Sequence, residues 1–490
     1  MKYKLLQRKH AEYDAATMRR HSDLFEGGPV FMSRVGEYLV KNEMEPPQVF
    51  KARCERAHYE NHCARIINFF ASSLMTSPPK VVHEPDPGPW YEEWFEDADA
   101  CGRSLPQVMR RMLVRALVAR RSYVRVAFPA AARDLATLTR ADADRLGARV
   151  PRIVEVPTEH ITHWRRNEDG SFAWVVEHTA DTALAEWDDA EERVTETWTQ
   201  WRANGTARRW QTTYTRKKPP TAESDVPEVE APANPTGACP IVELALPPEL
   251  WVMAHVSGPA LEHFRKHNAL SWSIDRTCYA MPWFFLKNRE KPPVMGTGYY
   301  GILGLDEKVE WPTPPSAPFE VIRGEVSDLV QDIHRVAEQM QLGMDQRQGA
   351  VAGRAAASKA QDGKATETVL RAYGDALRDP MERVLDLVSA GRGEDTDWDV
   401  EGMDLYDMAD ANALTDMAVA TDPLRIPSPT YRRELYKAVA HAQLPHIAEE
   451  TRQKIDKEID AGVSAEDVAR QPANDNPDDE EPEMGPAETA

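Results

Sequence analysis

The stretch "EVSDLVQDIHRVAEQMQLGMDQRQGAVAGRAAASKAQDGKATETVLRAYGDALRDPMERVLDLV" (residues 325–388) decides the fold. Apolar residues recur at helical spacing over residues 325–342 and again over residues 364–389. The segment between them, residues 346–363, has no aromatic residue and few side chains large enough to anchor a core. The pattern therefore predicts two long helices joined by a small-residue, mildly cationic segment that is not held in a core.

Both helices have predicted ends or breaks. Gly343 occupies the position of a C-cap for the first helix, and Pro380 is expected to kink or split the second. A further helix is predicted upstream, over residues 259–279, and Pro282 stops it. Its candidate buried residues are Leu261, Phe264, Leu270, Ile274 and Cys278. Residues 283–322, rich in Pro, Gly and aromatic residues, predict a compact turn-and-strand module between the long helices.

The N-terminal half begins with helices and continues with strands. Residues 48–75 predict one helix, and a second opens at Ser104 with an S-x-x-Q capping box. Residues 152–214 are rich in β-branched and aromatic residues and contain the turn signals Asp169-Gly170 and Asn204-Gly205, which predict an antiparallel β-rich domain. The Pro-rich residues 215–239 are expected to form a loop or linker.

Composition limits the function classes. The chain has 490 residues, 42% of them hydrophobic, and a formal net charge of −21. This charge argues against a protein that grips DNA by neutralising phosphates, but not against one that lets DNA slide past. No apolar run is long enough to span a membrane, and the five scattered cysteines suggest neither a disulfide framework nor a zinc ribbon. The chain is expected to be made in a cytoplasm and to remain there or in a particle assembled there.

Sequence patterns for enzymatic chemistry are weak. "GTGYYG" (residues 296–301) matches G-x-G-x-x-G, but no predicted strand precedes it and no predicted helix follows it. Cys54, His58 and His62 stand at i, i+4 and i+8 of the predicted helix and offer zinc ligands without an identifiable fourth; an amphipathic helix face is the simpler interpretation. The carboxylates of "WFEDADA" and "DTDWD" have no partner base or nucleophile. No metal, cofactor or catalytic residue is predicted.

A group of arginines lies around the second helix and the strand after it: Arg110, Arg111, Arg115, Arg120, Arg121 and Arg125. Two interpretations remain open for this group. It is either a patch that binds nucleic acid or a source of ion pairs between subunits.

Four stretches together resemble tailed-bacteriophage portal proteins, particularly those of long-tailed phages and prophages. They are "AHYENHCARIINFFASSLMTSPPKV" (57–81), "WFEDADACGRSLPQVMRRMLVRALVARRSYVRVAFP" (94–129), "EHITHWR" (159–165), and the run from "PPELWVMAHVSGPALEHFRKHNAL" (247–270) to "TETVLRAYGDALRDPMERVLDLV" (366–388). The resemblance spans roughly residues 10–450. It lies in the order of elements more than in any invariant motif.

The resemblance implies an α+β, portal-like fold. The expected parts are an N-terminal helical region and β-rich wing (1–258, with the Pro-rich insertion 215–239), stem helix 1 (259–282), a small α/β clip (283–322), stem helix 2 (323–345), a tunnel loop (346–363), a kinked wing helix (364–395), a helical crown (396–460) and a disordered acidic tail (461–490).

The implied function is structural and non-enzymatic. A homo-oligomeric ring, typically a dodecamer, would stand at the portal vertex of the capsid in the virion, and double-stranded DNA would be packaged and ejected through it. The implied partners are the terminase large subunit, a head-tail adaptor or connector, and the major capsid protein, without a membrane. By position, residues 346–363 match the tunnel loop that projects into the channel. The residues expected to face DNA are Gln346, Arg347, Gln348, Gly349, Gly353, Arg354 and Lys359.

Two other functions compete with this one. The chain is alternatively another ring-forming connector or minor capsid protein, although such adaptors are expected to be shorter. A DNA-acting enzyme that uses a metal or a nucleotide would need a phosphate loop or clustered carboxylates, which the sequence does not offer. For residues 346–363 the alternative is a surface loop leading into an Ala-rich helix.

Overall fold

The computed structural model shows a mixed α+β chain, as the sequence predicts. Contacts divide it into two compact units, residues 1–406 and 407–490. The structure describes residues 1–76, 79–84, 88–129, 139, 142, 150–184, 192–277, 283–285, 308–310, 317–345, 356–403, 428–444, 451 and 454–462.

Helices dominate both ends of the first unit. The helices before the sheets are α1 (Tyr3–Leu6), α2 (Ala15–Glu26), α3 (Gly28–Ser33), α4 (Val35–Tyr38), α5 (Pro47–Arg56), α6 (His62–Leu74), α7 (Trp90–Glu96) and α8 (Leu105–Ala119). The three long helices that follow are α9 (Val252–Thr277), α10 (Ala317–Asp345) and α11 (Ala356–Arg392). Short 3₁₀ turns span Thr158–His160 and Pro248–Leu250.

The described strands form open antiparallel sheets. The strands are β1 (Lys80–Glu84), β2 (Arg121–Ala127), β3 (Arg152–Val156), β4 (Ile161–Arg166), β5 (Phe172–Leu184), β6 (Glu192–Arg202), β7 (Ala207–Thr215), β8 (Glu228–Val229), β9 (Ile241–Ala245), β10 (Trp283–Phe285), β11 (Lys308–Glu310) and β12 (Asp397–Glu401). The sheet orders are β3-β2-β9, β4-β5-β6-β7-β8, β1-β12 and β10-β11.

The helical periodicity places the core residues correctly in α6, α8 and α11. The spacing of apolar residues predicts a buried face on each helix, and every residue of these faces is buried: Cys63, Ile66, Ile67, Phe70 and Leu74 of α6; Val108, Met109, Met112, Leu113 and Leu117 of α8; and Val369, Leu370, Tyr373, Leu377, Val384, Leu385 and Val388 of α11. Ser104 and Gln107 form the predicted capping box at the start of α8. These helices pack with α9 and the β3-β2-β9 sheet into one hydrophobic core.

The two turns predicted in the β-rich region are both formed. Asn204-Gly205 lies in the hairpin between β6 and β7, and Gly205 has a φ of 74°. A Cβ at Gly205 would come within 2.8 Å of the backbone of Gly237. Gly170 has a φ of 84° in the turn between β4 and β5. Both turns therefore use the positive φ that favours glycine.

The Pro-rich insertion is packed against the sheet, which corrects the expectation of a loop or linker. Its β8 pairs with β7, and Val226 is 1% exposed in a cluster with Leu6, Trp198 and Trp210. The amino group of Met1 donates to the carbonyl oxygen of Val226 over 2.8 Å. Apolar residues spaced among the prolines give this segment enough buried surface to dock on the sheet.

Several predicted element boundaries are wrong. Residues 48–75 form two helices, α5 and α6, because the chain leaves helical geometry at Ala57, where ψ is 143°, and the side chain of Asn61 starts a new helix by accepting from the Ala64 N–H. Gly343 does not end α10, which continues to Asp345, and α11 runs through Pro380 without splitting.

Residues 397–401 form a strand instead of the start of a helical crown. The alternation in "DWDVE" places Trp398 and Val400 in the core, at 6% and 1% exposure, while the acidic residues point outward. This strand pairs antiparallel with β1, matching Lys80 with Glu401. It joins the C-terminal part of the first unit to a strand more than 300 residues earlier in the chain.

The second unit is helical where it is described. Helix α12 (Pro429–Gln443) follows Ser428, whose hydroxyl accepts from the Tyr431 N–H over 3.2 Å. Residues 454–462 are also helical. Lys437 Nζ lies 2.9 Å from Asp460 Oδ1 and joins these two segments. The predicted acidic tail lies outside the described residues from residue 463 onward.

Candidate DNA-contact and assembly elements

Most of the residues predicted to face DNA lie outside the described residues: Gln346, Arg347, Gln348, Gly349, Gly353 and Arg354. Helix α11 begins at Ala356, so residues 356–363, including Lys359, belong to this helix and not to the predicted loop. The Ala-rich sequence explains this correction, because alanine has the highest helix propensity. The segment between α10 and α11 is therefore residues 346–355, and it joins two helices that pack against each other.

Helices α9 and α10 form a pair that extends away from the core. The buried residues of α9 lie between Val252 and Asn268, and its described residues beyond Asn268 are half-buried or exposed. Helix α10 shows the reverse order, because Ile333 is the first buried residue after its start at Ala317. At 1.5 Å per residue, α9 is about 39 Å long and α10 about 44 Å. Among the side chains that the structure describes, burial is therefore confined to the N-terminal part of α9 and, in α10, to Ile333.

A short β ladder connects the outer ends of this pair. Strand β10 follows α9 in the chain and β11 precedes α10, and the two strands pair antiparallel, matching Trp283 with Glu310. An ion pair between Lys266 Nζ and Glu325 Oε2, 2.9 Å apart, links the helices. The predicted module 283–322 is shorter than expected at its C-terminal end, because residues 317–322 already belong to α10. We call α9, the β10-β11 ladder and α10 the stem hairpin.

Apolar residues of the stem hairpin are incompletely covered. Val321 is 64% exposed and Ile274 is 40% exposed. The stripe predicted on α10 is only partly buried, because Val326, Leu329 and Val330 are intermediate in exposure and Ile333 is buried. Leu261 and Leu270 of α9 are also intermediate. The apolar residues therefore recur at the predicted spacing, but the described chain covers many of them only in part.

The arginines around α8 and β2 make contacts inside the chain. Arg111 forms a two-pronged ion pair with Glu155, with Nη2 to Oε2 at 2.9 Å. Arg125 Nη1 lies 2.5 Å from Glu177 Oε2, and Arg121 Nη2 lies 2.5 Å from Glu12 Oε2. The remaining contacts are Arg115 with Glu26, Arg110 with Ser72, and Arg120 with the carbonyl oxygen of Leu246. These arginines join the β-rich sheets to the helical core, which neither predicted interpretation anticipated.

Asp99 and two buried cysteines have contacts or surroundings that fit structural roles. Asp99 accepts from the backbone N–H of Cys101 and Arg103 and from the Arg103 guanidinium, and it holds the turn before α8. Burial raises the pKa of the Cys63 and Cys239 thiols to about 11, so both are protonated at neutral pH. "GTGYYG" lies outside the described residues.

The predicted metal-ligand face of Cys54, His58 and His62 is not formed. The break between α5 and α6 places Cys54 and His62 on different helices. His62 instead lies beside Glu60 and His263 of α9. Since this contact joins residues about 200 positions apart, local spacing could not reveal it.

No protein-family model and no curated protein matches the chain. Solved structures of gene transfer agent (GTA) particles contain similar chains. A chain from the neck of the empty particle, computed with C6 symmetry, aligns with a TM-score of 0.40 and 10% identity over 76% of this chain and 88% of that chain. A chain from the native virion aligns with a TM-score of 0.39 and 11% identity, over 86% and 99%. A chain from the native neck, computed with C12 symmetry, aligns with a TM-score of 0.38 and 10% identity, over 92% and 96%. Similarity at this level defines neither the fold nor the function of this chain.

In the part of the chain that the structure describes, no helix combines the length and apolarity needed to cross a bilayer.

Proposed function

We propose that this chain is a portal protein, the subunit of a ring at the capsid vertex through which double-stranded DNA is packaged and ejected. The stem hairpin is the observation that carries this proposal. It extends from the core of the first unit, ends in a small β ladder, and leaves apolar residues such as Val321 and Ile274 exposed. The role is structural and non-enzymatic.

The exposed apolar residues favour assembly with copies of the same chain. Burying a Val, Leu or Ile side chain stabilises by about 1.5–3 kcal/mol relative to leaving it exposed. A stripe along one side of a hairpin is covered most simply when the hairpin of the next subunit packs against it. Because this contact joins two different surfaces, it is heterologous and closes into a ring when the rotation between subunits permits. A dodecamer is the expected ring.

The charge balance suits a channel that DNA passes through. The chain carries 80 acidic and 59 basic residues. An acidic wall repels phosphates and prevents tight binding, while a few cations bias the position of the DNA without trapping it. Arg347, Arg354 and Lys359, in and after the segment between α10 and α11, are the proposed transient phosphate contacts.

The proposed partners follow from this arrangement. The β10-β11 ladder, at the outer end of the stem hairpin, is the proposed contact for the terminase large subunit and later for the head-tail adaptor or connector. The β-rich region is the proposed wing, which faces the major capsid protein. The particle location is the portal vertex of the virion, after synthesis in the host cytoplasm.

Negative-stain microscopy and native mass spectrometry of the purified full chain test this proposal. Rings with a central hole are expected. Val321→Asp should shift the chain toward monomers, because it places a charge on the proposed contact. The matched control is Val40→Asp, since Val40 is 57% exposed and lies outside the stem hairpin. Stable monomers of the wild-type chain with metal-dependent nuclease activity would overturn the proposal.

A further inference from the structure

A cluster of histidines lies where the stem hairpin meets the core. His62 is the first residue of α6, and Glu60 precedes that helix. His263 belongs to α9 and His334 to α10. The rings of His62 and His263 have centroids 5.1 Å apart, and those of His62 and His334 are 5.8 Å apart. Three segments distant in the chain therefore bring metal-ligating groups together.

The ligand atoms of three of these residues converge. One atom each from Glu60, His62 and His263 lies within 4.8 Å of the other two. His62 Nε2 is 3.6 Å from Glu60 Oε2. In a tetrahedral site with bonds of about 2.1 Å, ligand atoms lie about 3.4 Å apart. The ligand atoms therefore need to move only slightly closer together to bind an ion. The Glu60 side chain is able to make this movement, because it lies outside regular helix and is 41% exposed.

His62 has unused bonding capacity. Its side chain is 3% exposed, and neither Nδ1 nor Nε2 has a hydrogen-bond partner among the described residues. Leaving a buried polar group unpaired costs about 1–3 kcal/mol. A bound metal ion would satisfy one of these nitrogens directly. The unpaired imidazole is thus an independent indication that something else occupies this place.

The other contacts around the cluster leave one oxygen of Glu60 for an ion. Arg65 Nη1 lies 3.7 Å from Glu60 Oε1, which leaves Oε2 of the same carboxylate turned toward His62. His267, whose ring stacks on that of His263 at 5.7 Å, lies one helical turn further along α9.

We propose that Glu60, His62 and His263 bind a divalent transition-metal ion of the zinc type, with the fourth position left for water. Two imidazoles and a carboxylate favour Zn²⁺, or Co²⁺ and Ni²⁺ as substitutes, over Ca²⁺ and Mg²⁺, which prefer oxygen ligands. The ion would connect the start of α6 to α9 and restrain the angle at which the stem hairpin leaves the core. The site does not depend on the portal assignment.

The experiment is a titration of the chelator-treated, dialysed full chain with Co²⁺ and with Zn²⁺. Binding of one Co²⁺ per chain, with the visible absorption of a tetrahedral site and displacement by Zn²⁺, is expected. His263→Ala and Glu60→Gln should weaken Zn²⁺ binding by more than the ~10- to 100-fold that loss of an outer-shell partner costs. The Glu60→Gln variant is expected to fold like the wild-type chain, because Glu60 is half-exposed and Gln has nearly the same size.

His255→Ala is the matched control. His255 is also on α9 but is exposed and lies outside the cluster, so this variant should bind the ion like the wild-type chain. Circular dichroism confirms that each variant is folded. Absence of stoichiometric Co²⁺ binding in the wild-type chain, or equal affinity in Glu60→Gln, His263→Ala and His255→Ala, would overturn the proposal.

Discussion

Asn268 lies where the stem hairpin leaves the core, and its replacement measures how much this side chain contributes to the free energy of unfolding. Its Oδ1 accepts from the His58 N–H over 2.8 Å, and its Nδ2 donates to the carbonyl oxygens of His58 and Phe264 over 3.0 and 2.6 Å. The residue is 8% exposed. One amide side chain thus pairs with both backbone polar groups of His58, which lies between α5 and α6.

Asn268→Ala should lower the free energy of unfolding by about 2–4 kcal/mol. An unpaired buried group costs about 1–3 kcal/mol, and this change leaves both the N–H and the carbonyl of His58 without their partner. The estimate stays below the sum for two fully buried groups because His58 is an exposed residue. Asn268→Asp should also be destabilised at neutral pH, since a carboxylate would face two carbonyl oxygens.

Urea denaturation followed by circular dichroism measures this difference at one fixed protein concentration, because assembly would otherwise alter the apparent stability. Ser271→Ala is the control, since Ser271 is an exposed residue one turn further along the same helix. If Asn268→Ala unfolds within about 0.5 kcal/mol of that control, the range for surface substitutions, the segment does not depend on this amide.

Three further outcomes are expected. Gly374→Ala should destabilise the chain by about 1–3 kcal/mol in thermal or urea unfolding, because its Cβ would lie 2.1 Å from the carbonyl oxygen of Met403. The control Gly324→Ala, whose Cβ would meet nothing within 4 Å, should be neutral or stabilising. Equal effects of the two substitutions would contradict the packing described. Arg354→Glu should impair DNA packaging or retention in particles while rings still form, and normal packaging would count against the proposed channel contact. Burial lowers the pKa of His21 from 6.5 to about 4, so the unfolded chain binds more protons than the folded chain between these pH values. The free energy of unfolding should therefore fall by up to about 3 kcal/mol as the pH decreases from 6.5 to 4. His21→Gln should flatten this dependence, and an unchanged pH profile in that variant would show that His21 is not its cause.

Local periodicity was sufficient where one face of a helix meets the core. Met109 and Met112 of α8 and Tyr373 of α11 are buried as predicted, because helical spacing alone selects the face that the core covers. The turn at Asn204-Gly205 was equally predictable, since positive φ is a property of the residues themselves. The α+β class follows from these same local patterns.

Nonlocal pairing explains what the sequence did not predict. The strand 397–401 was expected to be helical because nothing nearby indicates its partner, β1, which lies more than 300 residues earlier. The convergence of His62 with His263 was hidden for the same reason. At Ile274 the opposite error occurred: the spacing predicted burial, but the side chain is 40% exposed because the described chain supplies no second surface there.

The pairing of β1 with β12 has a consequence for synthesis. A ribosome has to produce some 320 residues after Lys80 before the partner strand exists, so β1 leaves the ribosome with an open edge. Closing a loop of that length costs about 2.5 kcal/mol more than closing one of about 20 residues. A chain cut short before residue 397 would lack β12 and leave the β1 edge unpaired, and an unpaired strand edge is a site for pairing with other chains.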